Sequence, residues 1–170
     1  LLESRGIRQK YSDLYSRVLK FDPLNLPDVQ KTLPEDLAVI QYFATEDALY
    51  IFLVTRDTFR LHSVAVSDKN LNISVSAFRR AVAKRVNGDP KLAQNSRQLY
   101  DWLVKPVTDD IKDKSTLILI PSGRLHGLPF ACLTDAQGEP LIASKRILEL
   151  AKPTDLMRVS SEKVVPVASV

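Results

Sequence analysis

The run Thr116-Leu117-Ile118-Leu119-Ile120 is the most constraining stretch of this chain. It has no polar alternation, and it is bounded by Lys112-Asp113-Lys114 on one side and Pro121-Ser122-Gly123 on the other. A strand with one wet face alternates apolar and polar side chains, so an unbroken apolar strand has protein on both faces. The run therefore predicts a central parallel strand in an α/β sheet, with chain material above and below it.

The preceding residues supply that material. Segments 37–44, 49–55 and 58–66 favour strands, and Glu46-Asp47 and Arg56-Asp57 break them, which predicts an antiparallel meander. In the third, Phe59, Leu61, Ser63 and Ala65 share one face while Arg60, His62, Val64 and Val66 share the other. Neither face is purely apolar, which predicts an edge strand. A helix follows, capped by Ser74 or Ser76 and running to Val86, with Phe78, Ala81, Val82 and Val86 on its apolar side. A second helix over 92–105 buries Leu92, Leu99, Tyr100, Trp102 and Leu103, and Pro106 kinks it or opens a continuation through Val107 and Ile111. Beyond the buried strand, Pro129 suits the first turn of a short helix, 141–143 and 146–150 read as short strands, and 154–159 as a helix or loop.

Upstream, Ile7, Tyr11, Leu14, Tyr15 and Val18 recur at helical spacing over 7–20. Pro23 stops that helix, and 23–36, with Pro23, Pro27 and Pro34, reads as a linker with one helical turn at 28–31 capped by Asp28. The sole methionine is Met157 and the final residues, Val164 to Val170, are apolar and β-branched. These ends read as a processed or excised piece, cut through a strand or ending in a frayed tail.

Composition narrows the chemistry. Lys+Arg 24 against Asp+Glu 20 gives +4, too mild a balance to argue for nucleic acid. The basic residues Arg79, Arg80, Lys84 and Arg85 read as a solvated helix face, with contact to an acidic partner as the functional alternative. No apolar run reaches the ~18 residues of a membrane span, so the expectation is a cytoplasmic protein without membrane partners. The single cysteine, Cys132, excludes an internal disulfide, and with His62 and His126 it has no metal-ligand spacing. No phosphate-cradling glycine motif occurs, so neither metal nor cofactor is expected. Cys132 with His126 as base is one catalytic reading; the plainer one makes Cys132 a small buried core residue in Phe130-Ala131-Cys132-Leu133. Ser122 lacks the first glycine of a nucleophile elbow, so a serine hydrolase is the weakest alternative. His62 reads as making a surface or partner hydrogen bond.

The order of these features resembles a known family. Thr116 to Leu133, reading TLILIPSGRLHGLPFACL, is similar to the signature of CHAT domains: a strand followed by P-x-G-x-L-H-x-L-P-F-x-x-L. Leu33-Pro34-Glu35-Asp36 with the strand after it, and Gly138-Glu139-Pro140-Leu141-Ile142, resemble other parts of that family, and the likeness covers about 7–160. These modules are caspase- and separase-like and often follow tetratricopeptide repeats. The resemblance implies a three-layer caspase-like α/β sandwich with a mixed sheet, of which 37–170 is the amino-terminal half. Residues 1–22 become the tail of an upstream helical region, and 23–36 the linker. It implies cysteine endopeptidase activity for complete members, whose catalytic histidine and cysteine motifs lie further along and are missing from this sequence. Pro121, Gly123, Leu125, His126, Pro129 and Phe130 carry the signature in structural roles, and no catalytic residue is assigned. The implied partners are a downstream catalytic half and an upstream repeat region of the same parent. Arg60, His62, Arg79, Arg80 and Lys84 are the candidates for contact with other proteins, through a sheet edge or the basic helix of a self-contained interaction module.

Overall fold

The computed structural model describes residues 26–84, 90–153 and 155–156. The expected helix over 7–20, the stop at 87–89, the closing run 164–170 and most of 154–159 lie outside the described residues. Five strands form one mixed sheet: β1 (Leu37–Ala44), β2 (Leu49–Val54), β3 (Phe59–Val64), β4 (Thr116–Ile120) and β5 (Arg146–Glu149), in the spatial order β3-β2-β1-β4-β5. The first three are the antiparallel meander, with Ile40 opposite Leu53 and Phe52 opposite Leu61. β4 then lies parallel to β1, Val39 opposite Ile118, and β5 parallel to β4. All five residues of β4 are buried, as a strand without alternation must be.

Helical segments cover both faces. On one side α2 (Asp68–Ala83) and α3 (Pro90–Leu103) bring Leu71, Val75, Phe78, Leu99 and Leu103 onto Ile40, Tyr42, Leu49, Ile51, Leu53, Leu117 and Leu119. On the other, α1 (Leu26–Thr32) and its neighbour Leu33 set Val29 and Leu33 against Val39, Ile118 and Ile120, with Leu156 beside them. This is an α/β, three-layer arrangement. β3 is the outer strand expected from its mixed faces.

Several boundaries differ from expectation. The linker 23–36 contains α1, with Asp28 inside its first turn rather than as its cap. The helix placed after Ser74 or Ser76 starts at Asp68, where the Ser67 hydroxyl accepts from the Asn70 amide at 3.2 Å. Leu71 and Val75 extend the stripe of Phe78 and Val82 by two turns, and Ser74 is buried within it. After α3 a 3₁₀ turn, Lys105–Val107, leads into α4 (Thr108–Ile111). Leu141–Ala143 is a 3₁₀ turn rather than a strand: Pro140 offers no amide to a ladder, and Leu141 turns inward to bond the Leu133 carbonyl at 2.8 Å.

Two polar side chains lock the layers together. The Tyr42 hydroxyl donates to the Leu103 carbonyl at 3.0 Å inside the core, tying β1 to the end of α3, and burial keeps that phenol protonated. The Lys145 ammonium donates to the carbonyls of Ile111, Lys112 and Lys114 at 2.8, 3.0 and 2.7 Å, satisfying the end of α4 just before β5 begins. Tyr42→Phe keeps the ring but strands the Leu103 carbonyl, and is expected to cost about 1–2 kcal/mol. Denaturant melts check this: the midpoint falls while the slope stays constant.

Candidate functional site

In sheets of this type, ligands and catalytic groups gather beyond the carboxyl ends of the parallel strands. β1, β4 and β5 point the same way, so residues 121–133 leave β4 at that end. The segment is a chain of tight turns. Ser122 is extended, Gly123–Leu125 forms a 3₁₀ turn, and Phe130–Cys132 forms another after Pro129. Leu125, Leu128, Phe130 and Leu133 point into the core, and the Phe130 ring stacks on Tyr42 with centroids 5.4 Å apart.

Two glycines shape the path. Gly123 has φ +52 with open space around its missing side chain, and Gly127 has φ +74 with the Arg79 guanidinium 3.5 Å from where a Cβ would sit. Only glycine adopts such angles without cost. Arg79 of α2 therefore lies over the His126-Gly127 corner, while Arg80 and Lys84 stay exposed on the same helix.

The polar groups at this end include Tyr42, His126 and Glu149. His126 is exposed, and it stands near enough to Glu149 to favour the ionised carboxylate. Partial burial outweighs that help and holds the Glu149 pKa above its ordinary value.

Cys132 does not occupy the buried position expected of it: it is exposed. A 3₁₀ turn repeats every three residues, so Phe130 and Leu133 take the inward positions and Cys132 the outward one. It opens on a groove of about 380 Å³ lined by Phe78, Val82, Leu92, Ser96 and Thr134. Among the described residues no hydrogen bond joins Cys132, His126 or Ser122 to one another. A thiol or hydroxyl nucleophile needs a base within hydrogen-bond reach, and these side chains do not assemble one. Nor do three His, Cys, Asp or Glu side chains gather as a metal would require, among the described residues.

Arg60 and His62 are spent within the chain. Asp110 of α4 meets the Arg60 guanidinium at 2.7 Å and His62 Nε2 at 3.1 Å. Sequence reasoning missed Asp110, because nothing local links it to a strand some fifty residues earlier. It also missed Ser96, whose hydroxyl accepts from the Thr134 amide at 2.9 Å and donates to the Cys132 carbonyl at 3.3 Å. Here a signal existed: Ser96 falls in the Leu92, Leu99, Leu103 stripe, where a polar residue needs a buried partner.

The family model of the CHAT domain matches residues 93–170. Residues 93–170 are thus similar to CHAT domains. The match opens inside α3 and takes in β4, the whole strand-end segment and β5. The CHAT signature thus coincides with the turns that Gly123, Gly127 and Phe130 hold in place. No curated protein matches the chain.

Gly123→Ala is expected to cost about 1–2 kcal/mol, through backbone angle alone since no atom crowds the site. Gly123→Asn, which tolerates the left-handed region better, recovers part of it in the same melts. Glu149 yields a pH test. Its native pKa is raised, so between 4.5 and that higher value the native state holds more proton than the unfolded one, and stability falls as pH rises through the window. Glu149→Gln is therefore expected to raise the melting temperature at pH about 7 and to lose that advantage at pH about 3, well below 4.5, where the carboxyl is protonated in both states.

Proposed function

We propose that this chain is the amino-terminal, non-catalytic half of a CHAT-type, caspase-like cysteine-peptidase domain, and that it scaffolds a catalytic half supplied by downstream residues of a parent protein. The observation that carries the reading is the strand-end segment 121–133. It bears the CHAT signature, sits at the carboxyl end of a doubly buried parallel strand, and holds its side chains in packing roles. Leu125, Leu128, Phe130 and Leu133 build a floor beside the strand ends, and the family's catalytic histidine and cysteine motifs are not among these residues. A helical region upstream is the second partner in this reading, and the cytoplasm its setting. Among the described residues no helix is long and apolar enough to cross a membrane.

With fluorogenic peptides under reducing conditions, the 170-residue chain is expected to give no thiol-dependent signal and to match its Cys132→Ala variant. The parent's downstream half is expected to need this chain, in cis or co-expressed, to fold to an active peptidase. Peptidase activity of the chain alone that vanishes in Cys132→Ala would overturn the reading.

A second reading has one observation in its favour. β3 is an outer strand with Phe59, Arg60 and Leu61 exposed, and such an edge accepts an extended partner segment by backbone pairing. A pull-down that is indifferent to substitution of both Arg60 and His62 would remove this edge-strand reading.

A further inference from the structure

Ion pairs are shared out unevenly among the basic residues. Arg56 meets Glu35, Arg60 meets Asp110, and Arg97 meets Asp101 one turn along α3. Arg79 and Arg80 of α2, Lys84 at its carboxyl cap and Arg124 of the strand-end segment are all exposed. Among the described residues no carboxylate pairs with any of these four. On α2 the reason lies in the sequence: Lys69 to Lys84 contains no acid, so no i, i+4 partner exists within the helix.

The fold brings the four together. Ser76, Arg79, Arg80 and Ala83 recur at helical spacing and line one shallow hollow of about 470 Å³, kept open by the short side chains of Ser76 and Ala83. The Arg79 guanidinium leans off the helix to Gly127, 3.5 Å from where a Cβ would sit. The turn Gly123–Leu125 packs against α2 and buries Leu125 in the core that holds Phe78, which places Arg124 beside the helix. The carboxyl end of a helix carries about half a negative charge, which one cation offsets; three cations there, and a fourth from another element, leave a positive surface. Glu149, an acid at this end of the sheet, interacts with His126 rather than with these four cations.

We infer that Arg79, Arg80, Lys84 and Arg124 form a docking surface for an acidic peptide segment of a partner protein, held extended along the last turns of α2. Charge complementarity carries the choice of partner, since a guanidinium fork matches a carboxylate in shape as well as sign. Dimension agrees: Ser76 to Lys84 is about 12 Å along the helix, the span of about four extended residues. A nucleic acid fits less well, because none of these side chains is aromatic and a base has no ring to stack on. Such docking is independent of any peptidase activity in the parent.

Fluorescence anisotropy on the full 170-residue chain tests it. The probes are a labelled peptide of about six glutamates and aspartates, its amide counterpart of glutamines and asparagines, and single-stranded DNA of equal charge. The acidic peptide is expected to bind, with affinity falling as salt rises, and the amide peptide is not. Arg79→Gln with Arg80→Gln is expected to weaken binding about tenfold and Arg124→Gln about threefold. Lys31→Gln with Lys69→Gln removes the same charge from α1 and the first turn of α2, more than the ~8 Å screening length away, and is expected to leave binding within about twofold. All five substituted side chains are exposed, so circular dichroism is expected to show an unchanged fold. No binding of the acidic peptide, or an equal loss in the Lys31 and Lys69 variant, would overturn the proposal. Tighter binding of the DNA would overturn it too, by assigning the surface to nucleic acid.

Discussion

Burial of β4 on both faces is the constraint from which the rest of the structure follows. Leu117, Ile118, Leu119 and Ile120 are each at most 3% exposed, and burying a side chain of this size stabilises by ~1.5–3 kcal/mol. That gain exists only if two layers arrive, one on each side. Alternate residues go to different layers: Leu117 and Leu119 to the large core under α2 and α3, Ile118 and Ile120 to the smaller one under α1. A slip of one residue would exchange the two sets between cores of different shape. The parallel ladders to β1 and β5 then satisfy the backbone groups that this burial removes from water.

A strand held this firmly makes its carboxyl end a fixed platform. The chain leaves it through Pro121, turns at Gly123 and Gly127, and is pinned by Phe130 against Tyr42. Tyr42 is itself fixed to α3 through the Leu103 carbonyl, and Ser96 of α3 holds the Cys132 carbonyl and the Thr134 amide. Strand, turn and helix therefore brace one another, and the segment cannot shift without breaking buried polar bonds. Such bracing is what the proposed scaffolding role would ask of this segment.

How much of this was legible from residues alone depended on the range of the physics involved. β4 and the meander were readable because burial leaves its mark on consecutive side chains. The start of α2 was misplaced because Ser74 resembles a cap in isolation, whereas the governing cap is Ser67, two turns earlier, bonded to the Asn70 amide. The CHAT signature was legible as a pattern, but the exposure of Cys132 was not, since it depends on a 3₁₀ rather than an α-helical repeat. Asp110 meeting Arg60 and His62, and Lys145 closing α4, were invisible: each joins residues far apart in sequence, and only the assembled layers bring them together.

The sheet's two outer strands have different consequences for growth. β3 is paired antiparallel through a tight turn, so anything that extends it adds by simple edge pairing, while Arg60 and His62 meet Asp110 through their side chains. β5 is paired parallel, and a parallel neighbour from the same chain needs a crossover of a dozen or more residues. That crossover must pass over one face of the sheet. The face beneath α2 and α3 is already filled, because β2 and β4 contribute fully buried residues to it. On the opposite face the described residues supply only the short α1 with Leu33 and Leu156, and Leu148 of β5 is 37% exposed. Among the described residues, then, the layer on the α1 side is the thinner one at both ends of the sheet, with Phe59 and Leu61 exposed at one end and Leu148 at the other.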